Sequence, residues 1–348
     1  MKKDLFFPYA EETYRRRYVS EDISYHTWYN SRRMLSLFQA FCQETLKRDN
    51  LRFRDIDLSL LQSYKCYCLE KRGNTIPTVN RKLVPIFQVL KHAQAQGLVS
   101  PQSYKNLESA YIQLTPKRYG EEAGRLQQKE VRHLDDAQLQ SLLAYYRSLP
   151  AASPVRDALD LFMFSFHCCG LRISDIVTLE WSQIDLAQSR LSKVMVKSKT
   201  QLVIPLSPSA RQILERQRQR RPGGRFVFGL LPDQFDLEAD AELSRTIDNC
   251  NRTVGRRLNA VGRHLSFPFP LGMHVARHSF AVKALNSARV DVHLISHLLG
   301  HSSVLVTEKV YAKLLLPTLS KDLNEKLSFL EYSIEHCCPL KVVDGVKS

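Results

Sequence analysis

Two segments near the middle of the sequence place cationic side chains at positions that suit an anionic ligand. Arg172 follows the helix-ending Gly170 by two residues and precedes the apolar stretch ISDIVTLEW. An arginine at the junction of two buried helices is costly unless an anion pairs with it, and Asp175 is one candidate partner. The second segment, KSKTQ, contains Lys197 and Lys199 between two runs of β-branched and apolar residues. Turn lysines are usually solvated, so this segment indicates an anion-binding site only in combination with the other segments.

Two later segments add histidine and tyrosine side chains. In HVARHSFAVKAL, His274 and Arg277 are three residues apart, which puts them on one face at the start of a predicted helix. Backbone N–H donors and the helix dipole make such a face suitable for a phosphate. In LLGHSSVLVTEKVYAKL, Gly300 ends an apolar helix, His301 follows directly, and Tyr311 comes ten residues after that histidine. A tyrosine there would be ordinary core filling on its own, but the four segments together predict a phosphate site.

Metal binding is a competing use of these histidines. His274 with His278, and His297 with His301, are i, i+4 pairs of the kind that ligate zinc on a helix. Neither pair has the glutamate of the H-E-x-x-H motif or a clear third ligand, and Gly300 interrupts the helix under the second pair. We therefore expect no metal and no cofactor.

The composition favours a polyanionic partner. The chain has 348 residues and a formal net charge of +15, with 50 Lys and Arg against 35 Asp and Glu. A strongly basic but otherwise ordinary globular composition is typical of proteins that bind nucleic acids. No apolar run reaches the roughly 18 residues that a membrane span needs, and the start MKKDLFFPYAEE lacks the apolar segment of a signal peptide. We therefore expect a cytoplasmic protein.

Hydrophobic periodicity predicts two domains. Apolar residues at helical spacing indicate an all-helical first half of four or five helices. A polar, charged stretch follows as a linker, and the second half combines helices with a two-stranded hairpin whose turn carries the two lysines. The predicted segments are an N-terminal extension (1–12), a helical domain (13–113), the linker (114–133), a mixed domain (134–320), and an amphipathic helix with a tail (321–348).

Six residues, in chain order, resemble the active-site set of the tyrosine recombinases, the phage integrase family. They are Arg172, Lys197, His274, Arg277, His301 and Tyr311. The local sequences are similar as well: CGLRISDIVTL resembles the family's first arginine box, KSKTQLVIPL its strand hairpin, HVARHSFA its H-x-x-R-H box, and LLGHSSVLVTEKVYAKL its closing segment. This resemblance covers 134–320. The first half resembles the SAM-like core-binding domain of such integrases, particularly those of Bacteroides-type mobile elements.

The resemblance implies a mainly α fold with a small antiparallel β-sheet, in which a helical SAM-like core-binding domain precedes an α+β catalytic domain. It implies site-specific recombination of double-stranded DNA by a homotetramer on synapsed sites in a bacterial cytoplasm, with DNA-bending accessory proteins as further partners. The amphipathic helix within 321–348 would dock on a neighbouring protomer or on its own chain. Two alternatives are a type IB topoisomerase and a catalytically idle DNA-binding protein.

Roles for most of the set follow from the same resemblance. Tyr311 attacks a backbone phosphorus and forms a 3′-phosphotyrosyl link, so that no nucleotide cofactor is needed. Arg172, Arg277 and His301 donate hydrogen bonds to the phosphate oxygens, which gain charge in the transition state. His274 positions the phosphate or accepts the tyrosine proton.

The lysine and the carboxylate complete the implied mechanism. Lys197 protonates the departing 5′-oxygen, and Asp175 orients Arg172. An ungapped match to the family hairpin, counted back from the IPL sequence at 204–206, selects Lys197. The SKT tripeptide alone would favour Lys199.

Phosphate contacts outside the site are predicted for a set of basic residues, each of which could equally be a solvated surface charge. They are Arg15, Arg16, Arg17, Arg32, Arg33, Lys82, Arg256 and Arg257. The target sequence depends on groove geometry that periodicity does not reveal. Integration, excision, inversion and dimer resolution therefore all stay open.

Overall fold

The computed structural model describes residues 4–111, 131–286, 291–300, 303–305 and 307. The chain divides into two compact units, Met1–Gln128 with Ala239–Ser244 and Lys129–Glu238 with Arg245–Ser348. Within the described ranges the chain is mainly α-helical, with one three-stranded antiparallel sheet in the second unit. This architecture confirms the predicted fold class. No described helix is long and apolar enough to cross a bilayer.

The first unit is helical throughout its described part. Its α-helices are α1 (Phe6–Val19), α2 (Tyr25–Leu46), α3 (Leu58–Cys66), α4 (Ile76–Ala95) and α5 (Pro101–Glu108). A short 3-10 turn (Phe53–Asp55) precedes α3, and a π-helical turn (Tyr67–Lys71) continues it. Side-chain oxygens at the N-caps fix several helix starts: Ser24 accepts the backbone N–H of Thr27, and Asp57 accepts that of Leu60.

Aromatic side chains form much of the core of this unit. Phe6, Phe38, Phe41 and Tyr64 are buried, and the ring of Phe38 lies edge-on to those of Phe6 and Tyr64, with centroids 6.1 and 4.9 Å apart. Such edge-to-face pairs are favourable beyond the area they bury. Helix α1 begins at Phe6, inside the stretch 1–12 that was predicted as an extension, because its first turn is part of this core.

The remaining described elements follow residue 131. The helices are α6 (Asp136–Ser148), α7 (Pro154–His167), α8 (Ile173–Val177), α9 (Pro208–Arg220), α10 (Asp240–His264), α11 (Met273–Asn286) and α12 (Val292–Leu298). The strands are β1 (Ile184–Asp185), β2 (Arg190–Val194) and β3 (Gln201–Pro205). Helix α7 packs against both α9 and α11, which makes it the central helix of this unit.

Local sequence explains where two of these helices begin. The Asp135 carboxylate accepts the backbone N–H of Gln138 at 2.8 Å, and the Gln138 side chain accepts the N–H of Asp135, which forms a capping box at the start of α6. Ser153 caps α7, and Pro154 occupies its first position, where a missing N–H costs nothing. Both helices therefore begin at residue types that favour an N-cap.

The sheet contains the predicted hairpin. Strands β2 and β3 pair in a register that places Leu191 opposite Ile204 and Lys193 opposite Leu202. These four side chains are buried, while the residues between them are more exposed. One face of the hairpin is therefore packed against the unit, and a lysine lies among its apolar residues.

A buried carboxylate on α7 joins this helix to two others, α6 and α9. Asp160, 2% exposed, accepts hydrogen bonds from Tyr146 Oη on α6, from Arg216 Nη2 at 3.0 Å and from Gln217 Nε2 at 2.9 Å. Arg216 and Gln217 both lie on α9. Every oxygen of this buried carboxylate thus has a partner, which is the condition under which a buried charge is tolerated.

Replacing Asp160 should weaken the second unit more than replacing the nearby Asp157, whose bridge to Arg220 is exposed on both sides. Asp160→Asn removes the charge that Arg216 and Gln217 face, and we expect a loss of about 3 kcal/mol in the free energy of unfolding. Asp157→Asn should cost under about 1 kcal/mol. Urea denaturation of the two variants measures the difference, and equal losses would contradict the importance of the buried network.

Candidate active site

Arg277 is the most buried of the predicted cationic site residues. It lies in the first half of α11, is 7% exposed, and donates from Nη1 to the carbonyl of Gly170 at 2.9 Å and from Nη2 to the carbonyl of Leu299. Gly170 follows α7, and Leu299 is the C-cap of α12. The guanidinium therefore joins the ends of two other helices.

Gly170 is required for this close approach. Its φ is +72°, and a Cβ atom at this position would lie 2.9 Å from Cγ and 3.1 Å from Cα of Arg277. A residue with a side chain would be strained in its backbone and would displace the arginine. The glycine that the sequence indicated as a helix stop thus also makes room for a site residue.

Arg172 approaches the same region from the N-cap of α8. Its Nη2 lies 3.5 Å from the carbonyl oxygen of Gly300, and its Nη1 is buried without a hydrogen-bond partner among the described residues. The hydroxyl of Ser198 is likewise buried and unpartnered there. A Cβ atom built on Gly300 would lie 3.7 Å from Arg172 Nη1 and 3.6 Å from Ser198 Oγ. Two unpartnered donors therefore converge beside Gly300.

Asp175 has a different partner from the one predicted. Its Oδ1 accepts the backbone N–H of Val196 at 2.8 Å, and its Oδ2 is buried without a partner in the described part of the chain. It forms no ion pair with Arg172, although the charge of Arg172 helps to lower its pKa. Burial outweighs these charges and raises the pKa of Asp175. The carboxylate therefore holds the hairpin turn, because the backbone of Val196 reaches it and the Arg172 side chain points toward Gly300.

The hairpin turn distinguishes the two candidate lysines. The turn closes through Met195 N–H to the carbonyl of Thr200 and Lys199 N–H to the carbonyl of Met195, each at 2.9 Å. Lys199 adopts a left-handed φ of +55° at the end of the turn. The positive charge of Lys197 lowers the pKa of His274, together with the charges of the two arginines. Lys197 therefore lies within electrostatic reach of His274.

His274 lies in the first turn of α11 with part of its surface exposed. Desolvation lowers its pKa most, and the charges of Arg277, Arg172 and Lys197 lower it further. Its imidazole is consequently neutral at pH 7, with one nitrogen able to accept a proton. His278, one turn later, is more buried, and burial lowers its pKa to about 4.

The structure brings Arg172, Lys197, His274 and Arg277 into one region of the second unit. His301 and Tyr311 lie outside the described residues, as do most of the predicted linker (114–133) and the amphipathic helix within 321–348. The roles given to the six residues remain predictions.

Two buried polar residues near the site, Lys193 and Ser198, were not predicted from the sequence. Lys193 is 4% exposed, and its Nζ donates to the carbonyl of Thr178 at 2.8 Å and to Gln183 Oε1 at 3.1 Å. A signal for it exists, because the alternation of LSKVM places Lys193 on the inward side of the strand. The buried hydroxyl of Ser198 has no comparable signal, since a serine in a polar turn is ordinary.

The predicted DNA-contact residues of the first unit already have intramolecular partners in several cases. Arg15 and Arg16 pair with Glu12 on the exposed face of α1, and Arg32 pairs with a glutamate of the same helix while its guanidinium lies over the Trp28 ring. Exposed pairs of this kind contribute little and exchange readily for phosphate.

The other predicted contacts differ in exposure. Arg17 donates to Gln88 at 3.3 Å, and Lys82 is half-buried and donates to Asn74 Oδ1. The three that remain lie on α2 and α10, where two are exposed and the third is half-buried: Arg33, Arg256 and Arg257. All eight stay predictions.

The pKa of His278 predicts a loss of stability in mild acid. In the unfolded chain this histidine takes up a proton near pH 6.5, whereas in the folded chain it does so only near pH 4. Between these values the unfolded state binds more protons, so the free energy of unfolding falls as the pH falls. His278→Gln is neutral throughout, and it should lose up to about 2 kcal/mol less than the native chain between pH 6.5 and about pH 5. Urea denaturation at both pH values tests this; parallel losses in the two proteins would exclude the histidine as the cause.

Comparison with known protein families agrees with this geometry. Residues 132–315 match the phage integrase family, and residues 5–110 match the phage integrase SAM-like domain. The chain is 27% identical to tyrosine recombinase XerC of Pelobacter propionicus over 297 residues, which cover 84% of this chain and 86% of that protein. It is 32% identical to tyrosine recombinase XerD of Pseudomonas putida over 143 residues, a match that spans 41% of this chain and 45% of that protein.

Two solved structures share the fold. The integrase of transposon Tn1549 in complex with a circular intermediate DNA superposes with a TM-score of 0.61 at 15% identity, over 87% of this chain and 93% of that one. A lambda integrase tetramer bound to a Holliday junction superposes with a TM-score of 0.55 at 15% identity, over 86% and 78% of the two chains. With the catalytic-domain match extending over more than half of its length, the chain belongs to the phage integrase family of tyrosine recombinases.

Proposed function

We propose that this chain, as a site-specific DNA recombinase, cuts and rejoins DNA through a covalent 3′-phosphotyrosyl link at Tyr311. The observation that carries the proposal is the convergence of Arg172, Arg277, His274 and Lys197 around the backbone that leads into His301. Arg172 Nη1 and Ser198 Oγ are buried without a partner among the described residues, which favours an anionic ligand, because each such group is costly until an acceptor satisfies it.

The two arginines bind the scissile phosphate. Arg277 is held rigidly by two carbonyls, and Arg172 has one buried Nη1 without a described partner. Their planar donor groups suit the non-bridging oxygens, which gain charge as phosphorus becomes pentacoordinate. The carbonyl groups carry no net charge, so their hydrogen bonds leave Arg277 cationic, and it attracts the phosphate at close range. His301 adds a further hydrogen bond to the same oxygens.

Tyr311 is the nucleophile. Its oxygen forms a bond to phosphorus, the bond from phosphorus to the 5′-oxygen breaks, and the energy of the phosphodiester is kept in the new link. The tyrosine proton passes to His274, whose lowered pKa leaves the imidazole neutral and able to accept it.

Lys197 donates a proton to the departing 5′-oxygen. Its position on the hairpin turn and the effect of its charge on His274 support this role over Lys199. Attack of a 5′-hydroxyl from a second strand on the phosphotyrosine reverses these steps and joins new partners. The same six residues serve both directions, with Lys197 then receiving the proton of the attacking hydroxyl and His274 returning one to Tyr311.

Assembly and context complete the proposal. Two duplexes must be held together for strand exchange, and the lambda integrase tetramer on a Holliday junction supports a homotetramer here. The amphipathic helix within 321–348 would then dock on a neighbouring protomer.

The net charge of +15 supports binding to duplex DNA by phosphate contacts with steep salt dependence. We place the reaction in the bacterial cytoplasm, on the DNA of a mobile element, with accessory bending proteins where the sites need them.

Tyr311→Phe should abolish the covalent protein–DNA adduct and leave DNA binding intact, because the ring is kept and only the nucleophilic oxygen is lost. The assay uses a nicked suicide duplex that carries the joined ends of the DNA segment encoding this chain, with the adduct resolved by denaturing electrophoresis. Tyr332→Phe is the matched control and should form adduct normally. An unchanged adduct yield for Tyr311→Phe would refute the assignment. Relaxation of supercoiled plasmid without joining of two sites would instead indicate a type IB topoisomerase.

Lys197→Ala should slow cleavage about 100-fold or more on an ordinary substrate, because the 5′-oxygen leaves without a proton. A 5′-phosphorothiolate leaves as a thiolate that needs no proton, so this substrate should restore the rate. The measurement is single-turnover cleavage of the two substrates by the native chain, Lys197→Ala and Lys199→Ala. Selective rescue of Lys199→Ala would transfer the role to Lys199.

A further inference from the structure

Lys193 is a buried cation that the proposed chemistry does not use. It is 4% exposed on the inward face of β2, between the buried Leu191 and Met195. Lysine is almost never fully buried, because its ammonium loses hydration that only good partners replace. A lysine at such a position therefore has a specific structural purpose.

The hydrogen bonds of Lys193 join the hairpin to the segment that carries Arg172 and Asp175. Its Nζ donates to the carbonyl of Thr178, the C-cap of α8, at 2.8 Å. It also donates to Gln183 Oε1 at 3.1 Å, an oxygen that accepts the backbone N–H of Glu180 as well. Strand β2 is thus fixed to the C-terminal end of α8 and to the turn that follows it.

The second connection is electrostatic. Asp175 is fully buried and accepts the backbone N–H of Val196, a hydrogen bond that is stronger when the carboxylate is charged. Positive charge from Arg172, Lys193 and Arg277 opposes the effect of burial on this carboxylate. Of these, Lys193 belongs to the same hairpin as Val196, three residues earlier in the chain.

We infer that Lys193 is a positioning residue for Lys197. It anchors β2 on α8, and its charge favours the ionised form of Asp175, which is the stronger acceptor for the N–H of Val196, the residue immediately before Lys197. The inference rests on the proposed role of Lys197 as the proton donor. The two acidic groups whose charges act on the Lys193 ammonium are Asp175 and Glu180; burial lowers the pKa of the lysine to about 8.

A substrate that needs no proton separates positioning from a general structural role. Lys193→Met keeps an unbranched side chain of similar length among apolar neighbours and removes the donors and the charge. On an ordinary suicide duplex we expect single-turnover cleavage to fall on the order of 10- to 100-fold, because Lys197 is misplaced. With the 5′-phosphorothiolate duplex the rate should return to within about threefold of the native rate, since Lys197 is then dispensable.

The matched control is Arg190→Met, on the same strand. Arg190 is half exposed and pairs with Asp185 at 3.5 Å on the outer side of the sheet. This variant should cleave both substrates at the native rate. Thermal unfolding of each protein checks that the fold is intact, and Lys193→Gln, which keeps one polar donor, replaces the methionine variant if that one fails to fold.

Each pattern of rates has a distinct meaning. Slow cleavage of both substrates by a folded Lys193 variant, with Lys197→Ala rescued normally, overturns the positioning role and leaves the proposed function untouched. Cleavage of both substrates at the native rate by a folded Lys193 variant also overturns the positioning role. If the phosphorothiolate substrate fails to rescue Lys197→Ala, Lys197 is not the proton donor. The inference that Lys193 positions it is then refuted as well.

Discussion

Backbone carbonyls at helix ends hold the central arginine of the site. The last carbonyl groups of a helix have no partner within it and carry partial negative charge. Gly170 beyond α7 and Leu299 at the end of α12 direct two such carbonyls at Arg277. Carbonyl oxygens carry only partial charge, so these two hydrogen bonds leave the guanidinium cationic. This contact couples the positions of α7, α11 and α12, because moving any one helix end would leave a polar group without its partner.

Two glycines determine the backbone geometry beside the two arginines. Gly170 leaves room for the Arg277 side chain, whereas a Cβ atom at Gly300 would lie in ordinary contact with Arg172 Nη1 and Ser198 Oγ. Both have positive φ values, which a residue with a side chain rarely adopts. Both positions therefore favour glycine for the backbone conformation, and Gly170 does so for side-chain access as well.

The sequence predicted what depends on local signals. Asp135 and Ser153 are residue types that favour helix N-caps, and both cap helices here, while the hairpin pairs where its two apolar runs indicated. The start of α1 was missed because Phe6 is ordered by packing against α2, which periodicity in a short terminal stretch does not reveal. The partner of Asp175 was missed for a related reason. A carboxylate three residues from an arginine suggests an ion pair, but a backbone N–H 21 residues away is its actual partner, and only the folded hairpin brings that group near.

The surplus of positive charge in the site adds to the effect of burial on its histidine. Burial lowers the pKa of His274 most, Arg277, Arg172 and Lys197 each lower it further, and the buried Asp175 is one carboxylate among three cations. A bound phosphate would bring negative charge to the same place and raise that pKa, since an anion favours the protonated imidazole. The imidazole would then be neutral before substrate binds and a stronger base once the phosphate is present. In the proposed mechanism, the cations around His274 would therefore make its action as a base depend on the bound phosphate, which would couple proton transfer to DNA occupancy.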